Sequence, residues 1–127
     1  MSKKIVYSAA APEPIGPYSQ AIQFGNMLFI SGQIAIQKPS GNLITGNIAE
    51  ETRQVMLNLE AILKAAGMDF SNVVKSTIFL GNFNDFATVN EIYGKCFPQN
   101  PPARETVEVS RLPKDVNVEI SCIAIRE

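Results

Sequence analysis

Apolar residues recur every three or four positions in one long segment, and this spacing predicts a helix from Ile48 to Ala66. Gly67 follows directly and favours a helix end at that point. The predicted apolar stripe consists of Val55, Met56, Leu59, Ile62 and Leu63, whereas Glu50, Arg53, Asn58 and Lys64 are predicted to lie largely off it.

A second, shorter helix is predicted after Asn84, which we interpret as its N-cap. The apolar residues that follow are again three and four positions apart, as on the buried side of a helix. They are Phe86, Val89, Tyr93 and Phe97.

Runs of β-prone residues occupy much of the remaining chain. The predicted strands are 4–8, 21–24, 27–31, 73–80, 105–110 and 116–126. Gly25 and Asn26 separate the second and third of these and favour a hairpin turn. In the strand 73–80, alternation places Val74, Ser76, Ile78 and Leu80 on one face. Segments 9–17 and 38–46 contain several prolines and glycines and are predicted to be loops.

This order of elements predicts an α+β fold, with two helices on one face of a mixed sheet. No linker or repeat interrupts the chain, so we expect one domain over 1–127. The last strand is apolar on both of its faces, whereas an open sheet would need a polar second face. We therefore expect another copy of the chain to cover that face.

Charge and hydropathy argue against several classes of partner. The net charge of −1 gives no electrostatic reason to expect binding to nucleic acid or to an anionic membrane. No apolar run reaches the ~20 residues that a spanning helix needs. The first residues lack the apolar core of a signal peptide. The sequence therefore predicts a cytoplasmic protein.

The chain contains no histidine, which removes Ser-His-Asp and Cys-His catalysis and the commonest zinc sites. We also find no phosphate-binding loop, dinucleotide fingerprint or metal-ligand spacing, so we expect no metal and no cofactor. Cys96 and Cys122 lie in apolar surroundings and are predicted to be reduced and mostly buried.

Arg104 is the first candidate for chemistry. Its residue type alone also fits an ordinary surface charge, but Pro101 and Pro102 stiffen the chain just before it. A guanidinium held in this way presents paired donors in one plane, which suits two parallel hydrogen bonds to a carboxylate. Strand alternation places the Thr106 hydroxyl on the same side as Arg104.

Glu119 is the second candidate, and it lies between Val118 and Ile120 in a predicted strand. On an exposed face it would be an ordinary solvated carboxylate. On a covered face it would need a water, an amide or a cation, because an unpaired buried charge is costly. A carboxylate that holds a water is typical of hydrolysis by general base catalysis. Glu108 shares the alternation and is predicted to be a surface or interface charge.

Three weaker signals point to residues that could line a site. Tyr18 follows a stiff Gly-Pro pair in the loop 16–21. Ser31 and Gly32 end a strand, and a glycine there permits a ligand to approach the backbone closely. Asn90 lies on the second predicted helix, where it could also face solvent.

These residues fall within motifs whose order resembles one known family. GPYSQA (16–21), SGQI (31–34), NDFATVN (84–90), PPAR (101–104) and RLPKDVNVEI (111–120) resemble the reactive intermediate deaminase A family, also called the YjgF family. The likeness covers nearly the whole chain. It implies a chorismate-mutase-like α+β fold, a homotrimer, and sites in the clefts between subunits.

The resemblance also implies an activity: hydrolysis of 2-imino acids, released by pyridoxal-phosphate enzymes such as threonine dehydratase, to 2-keto acids and ammonia. In this chain it makes Arg104 the clamp on the substrate carboxylate and Glu119 the residue that holds or activates water. Tyr18, Ser31, Gly32 and Asn90 would line the cleft.

Two positions depart from the family pattern. Glu105 stands where a small residue is frequent, and a neighbouring anion could weaken the clamp. Thr106 stands where members of the deaminase branch often have cysteine, which leaves the substrate preference open.

Two other functions stay open at this level. One is a trimer that binds small carboxylates without catalysis, for metabolite sensing or a chaperone-like role. The other is RNA cleavage, which the net charge and the lack of histidine disfavour.

Overall fold

A computed structural model describes residues 2–127, so that Met1 of the predicted domain lies outside it. Within that range, six strands form one sheet, covered by two α-helices. The strands are β1 (Lys4–Val6), β2 (Ala21–Phe24), β3 (Met27–Gln33), β4 (Val73–Leu80), β5 (Ala103–Glu108) and β6 (Val118–Ile125), and the helices are α1 (Ile48–Ala65) and α2 (Phe86–Gly94).

The strand order across the sheet is β1-β2-β3-β6-β4-β5. Only the pairing of β4 with β5 is parallel among the residues 2–127, and the other neighbours are antiparallel. Because α2 lies between β4 and β5 in the sequence, it forms the crossover that parallel strands require. The predicted α+β fold with a mixed sheet and two helices is confirmed.

The main core lies between α1 and the sheet. Leu59, Ile62 and Leu63 of α1 are fully buried, as are Leu28 of β3 and Ile120 of β6. Burying side chains of this size contributes about 1.5–3 kcal/mol each, so this packing is what holds α1 in place.

The prediction that Asn58 lies off the buried stripe of α1 is wrong. Its side chain is 1% exposed and donates hydrogen bonds to the carbonyl oxygens of Ile34 and Ile36, at 3.0 Å each. A polar residue can occupy such a position because these bonds satisfy its amide. Helical spacing alone does not reveal the partners.

The predicted start of α2 is also wrong. Asn84 belongs to a short 3₁₀ turn, Phe83–Asp85, and the cap of that turn is the Asn82 side chain, which accepts a hydrogen bond from the Asn84 backbone N–H at 2.8 Å. The α-helix begins only at Phe86. Phe97 is buried as predicted but lies beyond the helix end at Gly94.

In β4, the predicted alternation holds for Ser76, Ile78 and Leu80 but fails at the first residue pair. Val73 is buried and Val74 is exposed, because the register between β4 and β6 shifts between Val73 and Lys75. One extra residue in a strand moves the side chains before it to the other face.

The sheet face away from the helices carries an apolar row that crosses five strands in register. It consists of Ile5, Ile22, Phe29, Ile123 and, at its end, the aliphatic stem of Lys75. Ile5 and Phe29 are 66% and 41% exposed in the single chain. We call this side of the sheet the open face.

Among residues 2–127, neither helix combines the length and the apolar composition needed to cross a membrane.

Candidate functional site

A cavity of about 40 Å³ lies where the proline-rich loop 9–17 meets the end of β3 and the start of β6. This volume is sufficient for an ordered water. The loop contributes Ile15, two prolines and the acidic Glu13 to its wall, and the other polar lining residues include Tyr18, Gln33 and Glu119. Two prolines from separate parts of the chain, Pro14 and Pro113, also line it and stiffen its rim.

The carboxylate of Glu119 lies directly over the backbone of Gly32. A Cβ atom at position 32 would stand 2.8 Å from the Glu119 carboxyl carbon, so only glycine allows this side chain its position. The register between β3 and β6 is irregular between Ile30 and Gln33, and this irregularity brings Gly32 under Glu119. The sequence predicted that a ligand could approach the backbone at Gly32, whereas the structure places the Glu119 side chain there.

Burial raises the pKa of the Glu119 carboxyl above its ordinary value of 4.5. Burial is the sole cause, since no cation or hydrogen-bond donor among residues 2–127 offsets it. A half-buried carboxylate without a protein partner leaves lone pairs free for a water or a substrate group. This arrangement suits a residue that holds or deprotonates water.

Tyr18 and Ser31 flank the cavity on the side of the open face. The Tyr18 hydroxyl accepts a hydrogen bond from the Ile15 backbone N–H at 3.2 Å, which folds the ring back over its own loop. The Ser31 hydroxyl donates to the carbonyl of Ser19 at 2.7 Å, so it ties this loop to β3. Tyr18 lines both the cavity and a shallow groove on the open face, whereas Ser31 lines only the groove.

Arg104 lies on the opposite side of the sheet, beneath α2. Its guanidinium carbon stands 5.0 Å from the centre of the Tyr93 ring and 5.7 Å from that of Phe86, within the range of cation–π attraction. The Tyr93 hydroxyl is fixed in turn by a 2.8 Å hydrogen bond to Ser76. The guanidinium forms no ion pair with the residues that the structure describes. Its donors are therefore available to an anion.

Thr106 lies on the same face of β5 as Arg104, as alternation predicts. Its hydroxyl oxygen is buried and has no hydrogen-bond partner within residues 2–127. Asn90 lies four residues after Phe86 and three before Tyr93, which places it on the same side of α2 as the two rings. Three of the predicted site residues thus belong to one neighbourhood.

Glu105 points away from Arg104. Its carboxylate accepts a hydrogen bond from the Thr77 hydroxyl at 2.5 Å and pairs with the Lys75 ammonium group at 3.0 Å. The Thr77 hydrogen bond and the Lys75 charge both lower the pKa of Glu105. The Lys75 ammonium group therefore neutralises, on the open face, the anion that follows Arg104.

Arg104 and Glu119 do not meet within one chain. In β4, the residue paired with Arg104 is Ser76 and the residue paired with Glu119 is Phe79, about 10 Å further along the strand. The two side chains also project from opposite faces of the sheet. The predicted site residues therefore fall into two separate groups, which we call half-sites. Arg104 and Thr106 lie beneath α2, with the exposed Asn90 on that helix, whereas Glu119, Gly32 and Tyr18 lie at the cavity with Ser31 beside it.

The sequence pattern predicts Phe86 and Tyr93 as buried residues of α2 but does not predict their contact with Arg104. Their spacing of seven residues places both on one helix face, and a parallel strand after such a helix returns beneath that face. This pattern could have identified an aromatic shelf for the first charged residue of the strand. No group of three or more potential metal ligands of the kinds His, Cys, Asp and Glu is assembled among residues 2–127.

The chain is similar to known proteins over nearly its whole length. The profile of the family described as "Endoribonuclease L-PSP" matches residues 8–126. A RutC family protein of Pyrococcus horikoshii is 52% identical over 125 residues, covering 98% of this chain and 99% of that protein. The 2-iminobutanoate/2-iminopropanoate deaminase of Homo sapiens is 48% identical over 124 residues, covering 98% of this chain and 90% of that enzyme.

Solved structures show the same fold. The YjgF gene product of Escherichia coli superposes with a TM-score of 0.93 at 43% identity, covering 98% of this chain and 99% of that one. TdcF of Escherichia coli, solved with bound serine, superposes with a TM-score of 0.93 at 41% identity over the same shares. The chain therefore belongs to the endoribonuclease L-PSP or YjgF family, the reactive intermediate deaminase family that its motifs resemble.

Proposed function

We propose that the protein hydrolyses small 2-imino acids to 2-keto acids and ammonia. The observation on which this proposal depends is the Glu119 carboxylate, which is half buried over Gly32 in a cavity able to hold a water. The relatives named 2-iminobutanoate/2-iminopropanoate deaminase support the same reaction. A cytoplasmic location is part of the proposal.

The chemistry requires one water and no cofactor. Glu119 accepts a proton from the water as its oxygen bonds to C2 of the imine, and it passes this proton to the nitrogen as the C=N double bond becomes a single bond. In the resulting carbinolamine, Glu119 accepts the hydroxyl proton as the C=O bond forms. The C–N bond breaks, and the nitrogen takes that proton from Glu119 and leaves as ammonia. Holding water and substrate together supplies much of the rate enhancement through proximity.

Arg104 binds the carboxylate of the substrate through two parallel hydrogen bonds. Its stacking on Phe86 and Tyr93 fixes the guanidinium plane before the substrate arrives, which lowers the entropic cost of binding. The buried Thr106 hydroxyl, unpartnered within residues 2–127, supplies a further polar group on the same side.

The proposal includes a homotrimer, because one chain separates its two half-sites by the sheet. A neighbouring copy that covers the open face would bring its Arg104 half-site towards the Glu119 cavity. The apolar row of the open face supports this association, since exposed apolar patches of this kind mark interaction surfaces.

Coupling to threonine dehydratase and threonine provides the test. We expect the protein to speed the conversion of the released iminobutanoate to 2-ketobutyrate and ammonia. Arg104→Lys should lose most of the activity, because an ammonium group cannot form the paired, planar contact. Arg111→Lys is a matched control, since Arg111 is exposed and pairs only with Asp115 at 2.6 Å.

Equal rates for wild type and Arg104→Ala would overturn the proposal. Binding of 2-ketobutyrate by calorimetry without any deamination would favour the carboxylate-binding alternative, in which the same clamp serves sensing or a chaperone-like role. The description of the family makes RNA cleavage a further outcome to measure. Nuclease activity that persists in Arg104→Ala and is absent from a mock purification would indicate that second function.

A further inference from the structure

Glu51 is a carboxylate on the sheet side of α1, and it is 0% exposed. It receives three hydrogen bonds from the start of β6. The backbone N–H groups of Asn117 and Val118 donate to one of its oxygens, at 2.7 and 3.3 Å, and the Asn117 side-chain amide donates to the other at 2.8 Å. The residue that follows Val118 is Glu119.

Asn58 makes a similar connection to another wall of the cavity. Its side-chain amide donates to the carbonyls of Ile34 and Ile36, which both line the cavity. Its own oxygen accepts a hydrogen bond from the Gln54 side chain at 2.9 Å. Asn58 is therefore satisfied on both sides while it grips the segment after Gly32.

Glu51 and Asn58 lie on the same face of α1. They are seven positions apart, which is two turns or about 10 Å along α1. Neither of them lines the cavity. Asn58 binds the backbone of two lining residues, whereas Glu51 binds the backbone of Asn117 and Val118, the two residues before the lining residue Glu119. We call these two segments the Gly32–Ile36 wall and the Asn117–Glu119 wall. They meet through a small apolar cluster of Ile34, Leu112 and Val116.

Burial of these two groups is unnecessary for packing alone. An apolar side chain of similar size would fit the same stripe without the cost of desolvating a carboxylate or an amide. Thr52, the buried neighbour of Glu51, shows the contrast, because its hydroxyl bonds only to Ile48 of its own helix at 2.7 Å. Glu51 and Asn58, by contrast, form hydrogen bonds to the two segments that carry the cavity lining.

We propose that Glu51 and Asn58 are positioning residues, which together fix the separation of the Gly32–Ile36 wall from the Asn117–Glu119 wall and so hold the Glu119 carboxylate over its water site. This inference rests on the proposed function for the role of Glu119. It assigns to α1 the task of aligning that residue from behind.

Glu51→Met and Asn58→Leu are nearly isosteric variants. Each removes the hydrogen bonds to one wall and keeps the side-chain volume. We expect kcat on 2-iminobutanoate to fall about tenfold to a hundredfold in each, with KM changed much less, because a displacement near 1 Å costs that much while Arg104 still binds the carboxylate. Glu51→Gln should restore most of kcat. Its oxygen can still accept from both backbone N–H groups, and the Asn117 amide can turn over to meet its nitrogen.

Thr52→Val and Leu59→Ala are the controls, since both residues are buried in α1 and neither reaches a wall. They should keep the wild-type kcat at a temperature at which all variants are folded, even where the midpoint of unfolding falls. An equal loss of kcat in the controls would reduce Glu51 and Asn58 to ordinary structural residues and overturn the inference. If Glu51→Met fails to fold, the inference is tested by the expected loss of kcat in Asn58→Leu and the expected retention of most of kcat in Glu51→Gln.

A second readout does not depend on catalysis. Titration of the Glu119 carboxyl by ¹³C NMR should give a lower pKa in Glu51→Met and Asn58→Leu than in wild type, as water enters the loosened cavity. An unchanged Glu119 titration together with an unchanged kcat would overturn the inference. A wild type that hydrolyses no imino acid, but whose Glu119 titration shifts only in these two variants, would defeat the proposed function and leave the positioning role intact.

Discussion

At the scale of single residues, Glu119 combines a useful pKa with a cost in stability. Burial raises its pKa in the folded protein above the ordinary value of 4.5. The folded state therefore binds the proton more tightly than the unfolded state, and stability falls as pH rises through the interval between the two pKa values. Above the folded pKa the full penalty is present.

Glu119→Gln should consequently be more stable than wild type near neutral pH, because the amide carries no charge to desolvate. Half-burial and solvent screening keep the expected gain below about 1 kcal/mol. The gain should vanish below about pH 4, where the carboxyl is protonated in both states. Urea unfolding at the two pH values measures it, and a gain that is independent of pH would show that packing rather than charge is responsible.

Gly32 is the second residue on which the site depends, because the Glu119 side chain lies where a Cβ would be. Gly32→Ala should push the carboxylate away from its water and reduce kcat/KM by about tenfold or more. A steady-state assay with 2-iminobutanoate measures this reduction.

Gly94→Ala is the matched control for this substitution. A Cβ at position 94 meets no heavy atom within 4 Å, so the variant should keep the wild-type kcat/KM. Full activity in Gly32→Ala would mean that the contact between Gly32 and Glu119 is irrelevant to the reaction.

At the scale of elements, periodicity predicts what depends on local sequence. The bounds of β2 and β4 match the prediction, and α1 starts at Ile48 as predicted and ends within one residue of the predicted end. These segments have long, regular patterns and clear stops such as Gly67, whose φ of 72° suits glycine. In such segments, local preference and tertiary packing agree.

The predictions fail where the burial of a residue depends on a partner that is distant in the sequence. Asn58 is buried because its amide reaches Ile34 and Ile36, more than twenty positions earlier in the chain. Val74 is exposed because β4 shifts its register against β6. The motifs identified the candidate residues, but the division of the site into two half-sites follows from the path of the sheet, which no local pattern encodes.

The aromatic face of α2 allows a prediction about Arg104. Tyr93→Leu removes a ring that stands 5.0 Å from the guanidinium and should raise KM for the imino acid roughly fivefold, in keeping with a cation–π contribution near 1 kcal/mol. Tyr93→Phe keeps the ring and loses only the bond to Ser76, so it should keep KM while stability falls by about 1 kcal/mol. Equal KM values in the two variants would show that the Tyr93 ring does not help Arg104 to bind the substrate.

At the scale of the whole molecule, the sheet separates what the reaction needs together. One chain holds the Arg104 guanidinium under α2 and the Glu119 carboxylate at the cavity, on opposite faces of the sheet. The open face that lies between neighbouring copies in the proposed trimer is apolar along the row from Ile5 to Ile123. Assembly and catalysis should therefore be lost together when this face is made polar.

Phe29→Glu places a charge at the centre of the apolar row, where association would bury it without a partner. We expect this variant to elute as a monomer in size-exclusion chromatography with light scattering, to remain folded, and to lose imine hydrolysis. Leu57→Glu is the control, since Leu57 is similarly exposed but lies on α1, away from the open face; it should keep both the trimer and the activity. A monomeric Phe29→Glu protein with undiminished activity would mean that one chain holds a complete site. The separation of Arg104 from Glu119 would then have to be bridged by a movement within the chain rather than by a neighbouring copy.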